Sequence, residues 1–463
     1  MRATILTLLA LAAPLAAQPL DRTKPPQTPP IPEYKLPPVL ESTLPNGLRV
    51  VMVEDPRFPL ATIRLTFQAG SKYDPKDTPG LAEAVGTLLI EGTKTRTARQ
   101  ISEEVDGLGG SIGGDAGADS LTVAASSLSE NLNRLLTVTA DVTRNATFPK
   151  QEVDLFKQNR EQSLLAQKSE PSFLADQKFA EVLYGASPYG HIAPTEAAIA
   201  KLDTATLAKF RDTYLVPNNG TLLLVGKLPA REALLKTVTD LFGSWQKKDL
   251  PPAPKMEFPA PKRQIVLVDR PGSVQADIHV GRTAPTRLSS DFFPLLVGNQ
   301  VLGGGTNSRM FRDIREKEGF AYDAHSEYQT HRDGGDFQAV TQVRNDVLEP
   351  ALKAVLAEMD QMAKEPVAAP ELTNIKNFVA GNYLLSLETQ DGLASRLNTV
   401  QALGLPKDYL ETFVTRVRSV EPGQIEAAAK KYVSPDQAAI VIVGDSTKIG
   451  DVLKKFGEVK VVK

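Results

Sequence analysis

Tyr214-Leu-Val-Pro-Asn-Asn-Gly-Thr-Leu-Leu-Leu-Val-Gly226 decides the architecture, because the chain writes it twice. The second copy, Tyr432-Val-Ser-Pro-Asp-Gln-Ala-Ala-Ile-Val-Ile-Val-Gly444, follows 218 positions on. Each reads as a turn and then a continuous apolar strand that stops at glycine. Two more blocks repeat at nearly the same offset. Glu152-Val-Asp-Leu-Phe-Lys157 matches Glu371-Leu-Thr-Asn-Ile-Lys376 at 219 positions, and the helical pattern Leu128, Leu132, Leu135, Leu136 parallels Leu348, Leu352, Val355, Leu356 at 220. Both apolar sets follow the 3.6-residue period. Three blocks in one order at nearly one offset imply two copies of one fold.

Between the copies lies a Pro-rich segment, Leu250 to Pro261. The chain of 463 residues therefore divides into a first half at 41–247, a linker at 248–262 and a second half at 263–463. That length is also too great for one ordinary core. In the first half, Leu48 to Val53 and Leu60 to Gln68 read as strands, Gly80 to Ile90 and Ala98 to Leu108 as helices, and Ser111 to Ser127 as a strand pair. Longer helices follow before the Val-Gly strand closes the half. Strands and helices are partly segregated, which predicts an α+β fold with helices covering one face of a mainly antiparallel sheet in each half.

The N-terminus predicts export. Arg2 precedes an apolar run from Ala3 to Ala13, and Leu15-Ala16-Ala17 offers small residues for cleavage before Gln18. Residues 1–17 read as a signal peptide, and 18–40 as an extended Pro-rich leader. The apolar run falls short of the roughly 20 residues of a spanning helix, and no later segment reads as a membrane span. The expected destination is outside the cytoplasm, in a bacterial periplasm. The absence of cysteine excludes disulfides, thiolate metal sites and a lipid-anchored Cys. A net charge of -2 without dense Lys/Arg patches argues against a nucleic-acid partner.

The most informative chemistry lies in Leu302-Gly-Gly-Gly-Thr-Asn-Ser-Arg-Met-Phe-Arg-Asp-Ile-Arg-Glu-Lys-Glu-Gly-Phe-Ala-Tyr322. This stretch resembles the second-half signature of the pitrilysin/insulinase-type zinc metallopeptidase family: L-G-G-G, S-R-L-F, then R-E-K-x-G-L-A-Y. Gly80-Leu-Ala-Glu-Ala-Val-Gly-Thr-Leu-Leu-Ile-Glu-Gly-Thr93 is similar to the family's zinc helix, G-L-A-H-x-x-E-H-x-x-F-x-G-T. Leu44-Pro-Asn-Gly-Leu48, Ser187-Pro-Tyr-Gly190 and Tyr214-x-x-Pro-Asn extend the likeness over nearly the whole chain. The resemblance implies two halves forming a clamp around a chamber.

The departures from the family pattern fall on the catalytic positions. The zinc histidines and the general base of H-x-x-E-H are replaced by Glu83, Gly86 and Thr87. The place of the family's third ligand falls at Ser163 or Leu164, with Glu161 out of register. Catalytic zinc needs three protein ligands, so no metal is expected on this chain. His325 and Glu327 would share a strand face and allow a weak metal pair, against the plainer reading of a solvated face.

What survives is Arg315 and Tyr322, seven positions apart. Ser308 to Glu318 predicts a helix, Gly319 its stop and Phe320 to Tyr328 a strand, an order that lets the two side chains converge. In the family this pair faces zinc across the chamber, grips substrate backbone and stabilises the charged intermediate. Some bacterial members carry the zinc motif on one polypeptide and the Arg/Tyr pair on another. The resemblance therefore implies a non-catalytic subunit of a secreted peptidase, partnered by a homologous zinc-bearing subunit that holds the zinc. The small-residue stretch Gly109 to Thr122, with Gly113, Asp115, Ala116 and Gly117, reads as an exposed strand; the matching family edge accepts peptide as an added strand, and a plain sheet edge is the alternative. Gly303, Gly304 and Gly305 are expected beside substrate, as a flexible or close-packed entry to the helix; no Lys-Ser/Thr follows them to make a phosphate loop. The rival reading of the whole chain is an inert peptide-binding or scaffold protein of the same fold, as the core proteins of mitochondrial respiratory complexes are.

Overall fold

The computed structural model describes residues 34–462, so the expected signal peptide and most of the Pro-rich leader lie outside the described residues. Two six-stranded sheets carry the fold and repeat one topology. The strands of the first are β1 (Val39–Thr43), β2 (Arg49–Glu54), β3 (Leu60–Phe67), β4 (Ser111–Ala116), β5 (Leu121–Leu128) and β6 (Gly220–Gly226), in the order β1-β2-β6-β3-β5-β4. Those of the second are β7 (Gln264–Asp269), β8 (Gln275–Ala284), β9 (Ala321–Thr330), β10 (Gly335–Arg344), β11 (Ala439–Gly444) and β12 (Val459–Val462), in the order β12-β7-β11-β8-β10-β9.

The repeated Val-Gly strands are β6 and β11, and they hold the same station. Each runs parallel to the first long strand of its half (β2 or β7) and antiparallel to the next (β3 or β8). Insertion between those two strands buries both faces, which is why the runs are apolar without alternation. The sheets are mainly antiparallel, as expected. The repeated leucines Leu132, Leu135 and Leu136 lie buried on the Leu132–Asn145 helix, and Leu348, Leu352 and Val355 on the Leu348–Lys364 helix. Leu128, read with the first set, instead ends β5 and is 39% exposed.

Each sheet packs one face on helices of its own half. The other face is covered by a helix that the opposite half supplies. The Pro171–Tyr184 helix follows the first-half helices in sequence, yet Ala175 packs on Val268 and Val443, while Phe179, Ala180 and Leu183 pack with Val266, Ala439 and Val441. The Gln390–Leu403 helix does the same for the first sheet. Thr66 Oγ1 donates to Asn398 at 2.6 Å, Gln68 Nε2 to the Ala402 carbonyl at 3.1 Å, and Arg64 pairs with Asp391. Large apolar side chains such as Phe179 contribute about 1.5–3 kcal/mol each when buried, so this exchange ties the halves firmly.

A buried charge cluster closes the same junction. Lys72 is 3% exposed and reaches Asp119 and Asp333 at 2.9 Å each. Tyr189 donates its hydroxyl to Asp119 at 2.6 Å, and the Arg332 amide donates to the other Asp119 oxygen at 2.8 Å. Tyr189 also stacks on His331 at 4.4 Å between ring centroids. The segment between the Arg231–Phe242 helix and β7 holds neither helix nor strand, but Phe258 packs against Tyr184 and Tyr189.

Candidate functional site

The degenerate motif lies on the Leu81–Leu88 helix. Gly80 takes φ +93° ahead of it, and half-buried Asp74 caps it by accepting the Gly80 and Ala82 amides at 2.7 and 2.8 Å. Burial pushes the Asp74 carboxyl up to about 7. Gly86 faces the β4 backbone: a Cβ there would lie 3.2 Å from the Asp115 carbonyl carbon, and one on Gly114 would lie 2.2 Å from the Gly86 oxygen. Only glycines permit so close a helix–strand approach. Thr87 points to solvent.

The donor set at this position does not fit zinc. Glu83 is the one carboxylate among the three motif positions, and it is engaged: Arg160 of the Lys150–Ser169 helix reaches it with Nε at 3.1 Å, while Arg160 Nη1 donates to Gln167 at 3.1 Å. Leu164 is buried, and Ser163 and Glu161 are exposed. A guanidinium therefore stands against the sole candidate ligand, and a metal cation would have to displace it.

The Arg/Tyr pair does converge. Arg315 lies over the Tyr322 ring at 4.7 Å and the Phe311 ring at 4.4 Å, sandwiched by cation–π contact. Tyr322 is 84% exposed. The expected helix forms, with a difference: Phe311–Lys317 is a π-helix, in which the Glu318 amide reaches Asp313 O and the Phe320 amide reaches Ile314 O. Gly319 at φ +64° then turns the chain into β9. Buried Ile314 anchors the segment while the left-handed glycine closes it, and the ladder widens to meet both demands. Single π-turns of this kind recur at functional positions.

Gly303–Gly305 form a seam rather than a loose loop. Ser326 of β9 donates its amide to the Gly303 oxygen at 3.1 Å, and a Cβ on Gly303 would sit 2.1 Å from that nitrogen. The three glycines border a pocket of about 640 Å³ shared with Phe311, His325 and Glu327. Gly113 on β4, an edge strand, and Gly117 just past its end have open space where a side chain would be. Asp115, Ala116 and Gly117 line a larger cavity together with Glu83, whereas Arg315 and Tyr322 lie outside it.

That cavity, of about 740 Å³, lies where the halves meet. The first half contributes Glu83, Asp115 and Arg160; the exchanged helix contributes Asp176, Phe179 and Tyr184; and the second sheet contributes Glu327, Asp336 and Gln338. Burial pushes Asp336 up to about 6; Asp176, whose side chain is 49% exposed, is raised to about 6 by partial desolvation and repulsion from Glu327 against attraction to His325. His325 pairs with Glu327 at 3.5 Å and with Asp323 at 2.7 Å, so its imidazole is flanked by carboxylates. The His325 hydrogen bond leads the causes that hold Glu327 down to about 2. His325 and Glu327 thus form an ion pair, and no group of three metal-ligating side chains occurs among the described residues. Sequence reasoning missed Asp176, Tyr184 and Asp336; no motif marks them, and Tyr184 and Asp336 meet across 152 positions. No helix among the described residues is long and apolar enough to cross a membrane.

Residues 49–191 match the family model described as insulinase (peptidase family M16), and residues 201–379 match the model described as the peptidase M16 inactive domain. The zinc protease YmxG of Bacillus subtilis, itself named as uncharacterized, is 24% identical over 402 residues, covering 86% of this chain and 97% of its own. An uncharacterized zinc protease of Rickettsia bellii is 26% identical over 422 residues, covering 89% and 93%. Among solved structures, a peptidase M16 inactive domain from Pseudomonas fluorescens superposes with TM-score 0.82 at 27% identity, over 88% of this chain and 98% of that one. A protease from Helicobacter pylori shares the fold with TM-score 0.81 at 19% identity, over 88% of this chain and all of the other.

Proposed function

This chain belongs to the insulinase family of peptidases, M16, as a non-catalytic member, and on that basis we propose that it binds peptide and completes the active site of a zinc-bearing homologous subunit. The zinc would reside in the partner. Export to a bacterial periplasm belongs to the same proposal and rests on the first 17 residues. The observation that carries the proposal is Tyr322, 84% exposed with Arg315 stacked on it. A tyrosine that exposed does nothing for its own core, whereas its hydroxyl and the guanidinium together offer donors to a substrate carbonyl held by another chain. The β4 edge, with open space at Gly113, supports the addition of substrate as a strand.

The test mixes this chain with a zinc-motif homologue from the same organism on a quenched peptide, with a chelator control. Activity well above the homologue alone, abolished by chelator and lowered at least about tenfold by Arg315→Ala without loss of the complex, is expected. A mixture that matches the homologue alone, with no complex on a sizing column, would replace the proposal with the inert peptide-binding or scaffold reading.

A further inference from the structure

The cavity between the halves carries more negative charge than its own cations answer. Arg160 is engaged by Glu83, and Asp74 caps the motif helix. Glu327 accepts from Gln329 and Gln338 and pairs with His325. Asp115, Asp176 and Asp336 remain, with exposed Lys76 the one further cavity-lining lysine or arginine.

Asp336 is the most telling of them. It is 6% exposed, and strand alternation on β10 directs it with Gln338 toward the cavity while Phe337 and Ala339 enter the core. Its Oδ1 accepts the Tyr184 hydroxyl at 2.6 Å, and no described residue donates to Oδ2. Asp336 Oδ2 is not among the buried atoms left without a partner, so it opens onto the cavity, where a donor on an entering ligand can reach a carboxylate that the protein answers with one neutral hydroxyl. Asp176 stands in the same wall, its side chain 49% exposed; the basic groups near it are His279 at 3.7 Å, which burial drives toward the neutral form, and His325, which is already paired with Glu327. Phe179, Tyr184 and Tyr189 contribute aromatic rings to the wall. Carboxylates set among aromatic rings recognise organic cations by charge-assisted hydrogen bonds and cation–π contact.

We propose that this cavity binds the guanidinium or alkylammonium group of a basic ligand, with Asp336 and Asp176 as its anionic ends and Tyr184 beside them. The inference rests on the peptide-binding reading and names its substrate class: a peptide laid along β4 passes Asp115 and Gly117, which line this same cavity, and can lower an Arg or Lys side chain into it. A free polyamine presents the same chemistry.

The experiment measures binding to the full chain by fluorescence polarisation. The probes are a labelled Ala/Gly/Ser decapeptide with one central Arg and its citrulline counterpart, which has the same shape without the charge. The Arg peptide is expected to bind at least about tenfold tighter, and Asp336→Asn or Asp176→Asn should reduce that preference to less than about threefold. Asparagine retains the acceptor for Tyr184, and Asp176 accepts no such bond, so one variant checks the other for folding. Equal affinity for the two peptides overturns the cation site and leaves peptide binding standing. If neither peptide binds, the peptide reading falls, and spermidine decides the cation site. A thermal shift with wild type that is lost in D336N upholds it for a free cation; no shift overturns it.

Discussion

Lys72→Met should be among the most damaging single substitutions in this chain. Methionine keeps the length and apolar stem of lysine but removes its charge from a site only 3% exposed. The partner Asp119 is 7% exposed and 2.9 Å away. At an effective dielectric constant of about 20, that separation corresponds to about 6 kcal/mol of attraction before desolvation. Asp333 is 39% exposed, so solvent screening leaves its share at about 0–1 kcal/mol. Desolvation of the lysine offsets much of the larger figure, and breaking one side of a buried pair costs about 3–5 kcal/mol, because the remaining charge is stranded. Burial drives the Asp119 carboxyl up, but Tyr189, Lys72 and the Arg332 amide together hold it below the usual range. The stability it contributes is thus present above the ordinary carboxylate pKa and is lost as pH falls through its lower, folded value. The assay is urea unfolding followed by Trp245 fluorescence and circular dichroism at pH 7. K72M should lose about 3–5 kcal/mol, and K72M/D119N should recover about 1–2 kcal/mol of it, since the neutral amide keeps the Tyr189 bond and needs no counter-ion but its NH2 cannot accept from the Arg332 amide. A loss below about 1 kcal/mol, or a double variant no better than the single, would refute the view that this pair locks the halves.

The other expectations follow from single distances or charges. Gly303→Val should cost at least about 2 kcal/mol, since its Cβ would meet the Ser326 nitrogen at 2.1 Å, whereas Gly305→Ala, whose nearest neighbour lies 4.0 Å away, should stay within about 0.5 kcal/mol; equal urea midpoints for the two would contradict a close-packed seam. Restoring the histidine ligands as Glu83→His and Thr87→His, with Gly86 kept for its close packing on β4, should give no zinc uptake against a chromogenic chelator until Arg160→Ala and Leu164→Glu are added; stoichiometric zinc on the double variant would sink the account of the donor set. Asp336→Asn should raise stability at pH 8 by about 2–3 kcal/mol, with the gain shrinking as pH falls toward 4. The sign follows from burial, which raises the folded pKa to about 6: above that pH the native state holds a carboxylate it would rather protonate, and near 4 it does not. Glu327 and Asp176 add to the repulsion on Asp336, and Tyr184 is its donor. A gain equal at both pH values would point to packing instead of charge.

What could be read along the chain was what repeats along it. The doubled Val-Gly strand identified two sheets, because a strand inserted between neighbours must be apolar on both faces, and β6 and β11 do occupy that place. Gly319 likewise marked the end of a helix, through its left-handed φ of +64°. The π-helix before it was not legible, since nothing local distinguishes Phe311–Lys317 from an α-helix; the buried position of Ile314 and the turn at Gly319 set its width. Nor was the helix exchange legible. The Pro171–Tyr184 helix is apolar where it meets Val266 and Val441, and an apolar stripe does not say which sheet it will cover. The cavity exists because of that exchange: it sets Asp176 and Tyr184 beside Asp336, residues no periodicity connects.

The two sites therefore carry opposite histories of charge. At the motif helix the cation has moved inside the protein, as Arg160 on Glu83, and that carboxylate asks for nothing further. At the second sheet Asp336 stands without a cation of its own, and Asp176 on the helix that covers the sheet has only histidines near it; both are lifted to about 6. Stability alone would favour asparagine at 336, which could still accept the Tyr184 bond. Charge held at a stability cost is what a binding site does and what a structural core avoids. If D336N is both more stable at pH 8 and blind to the difference between Arg and citrulline, the two results together assign that cost to recognition. A more stable variant that still prefers the Arg peptide would locate the recognition elsewhere in the cavity.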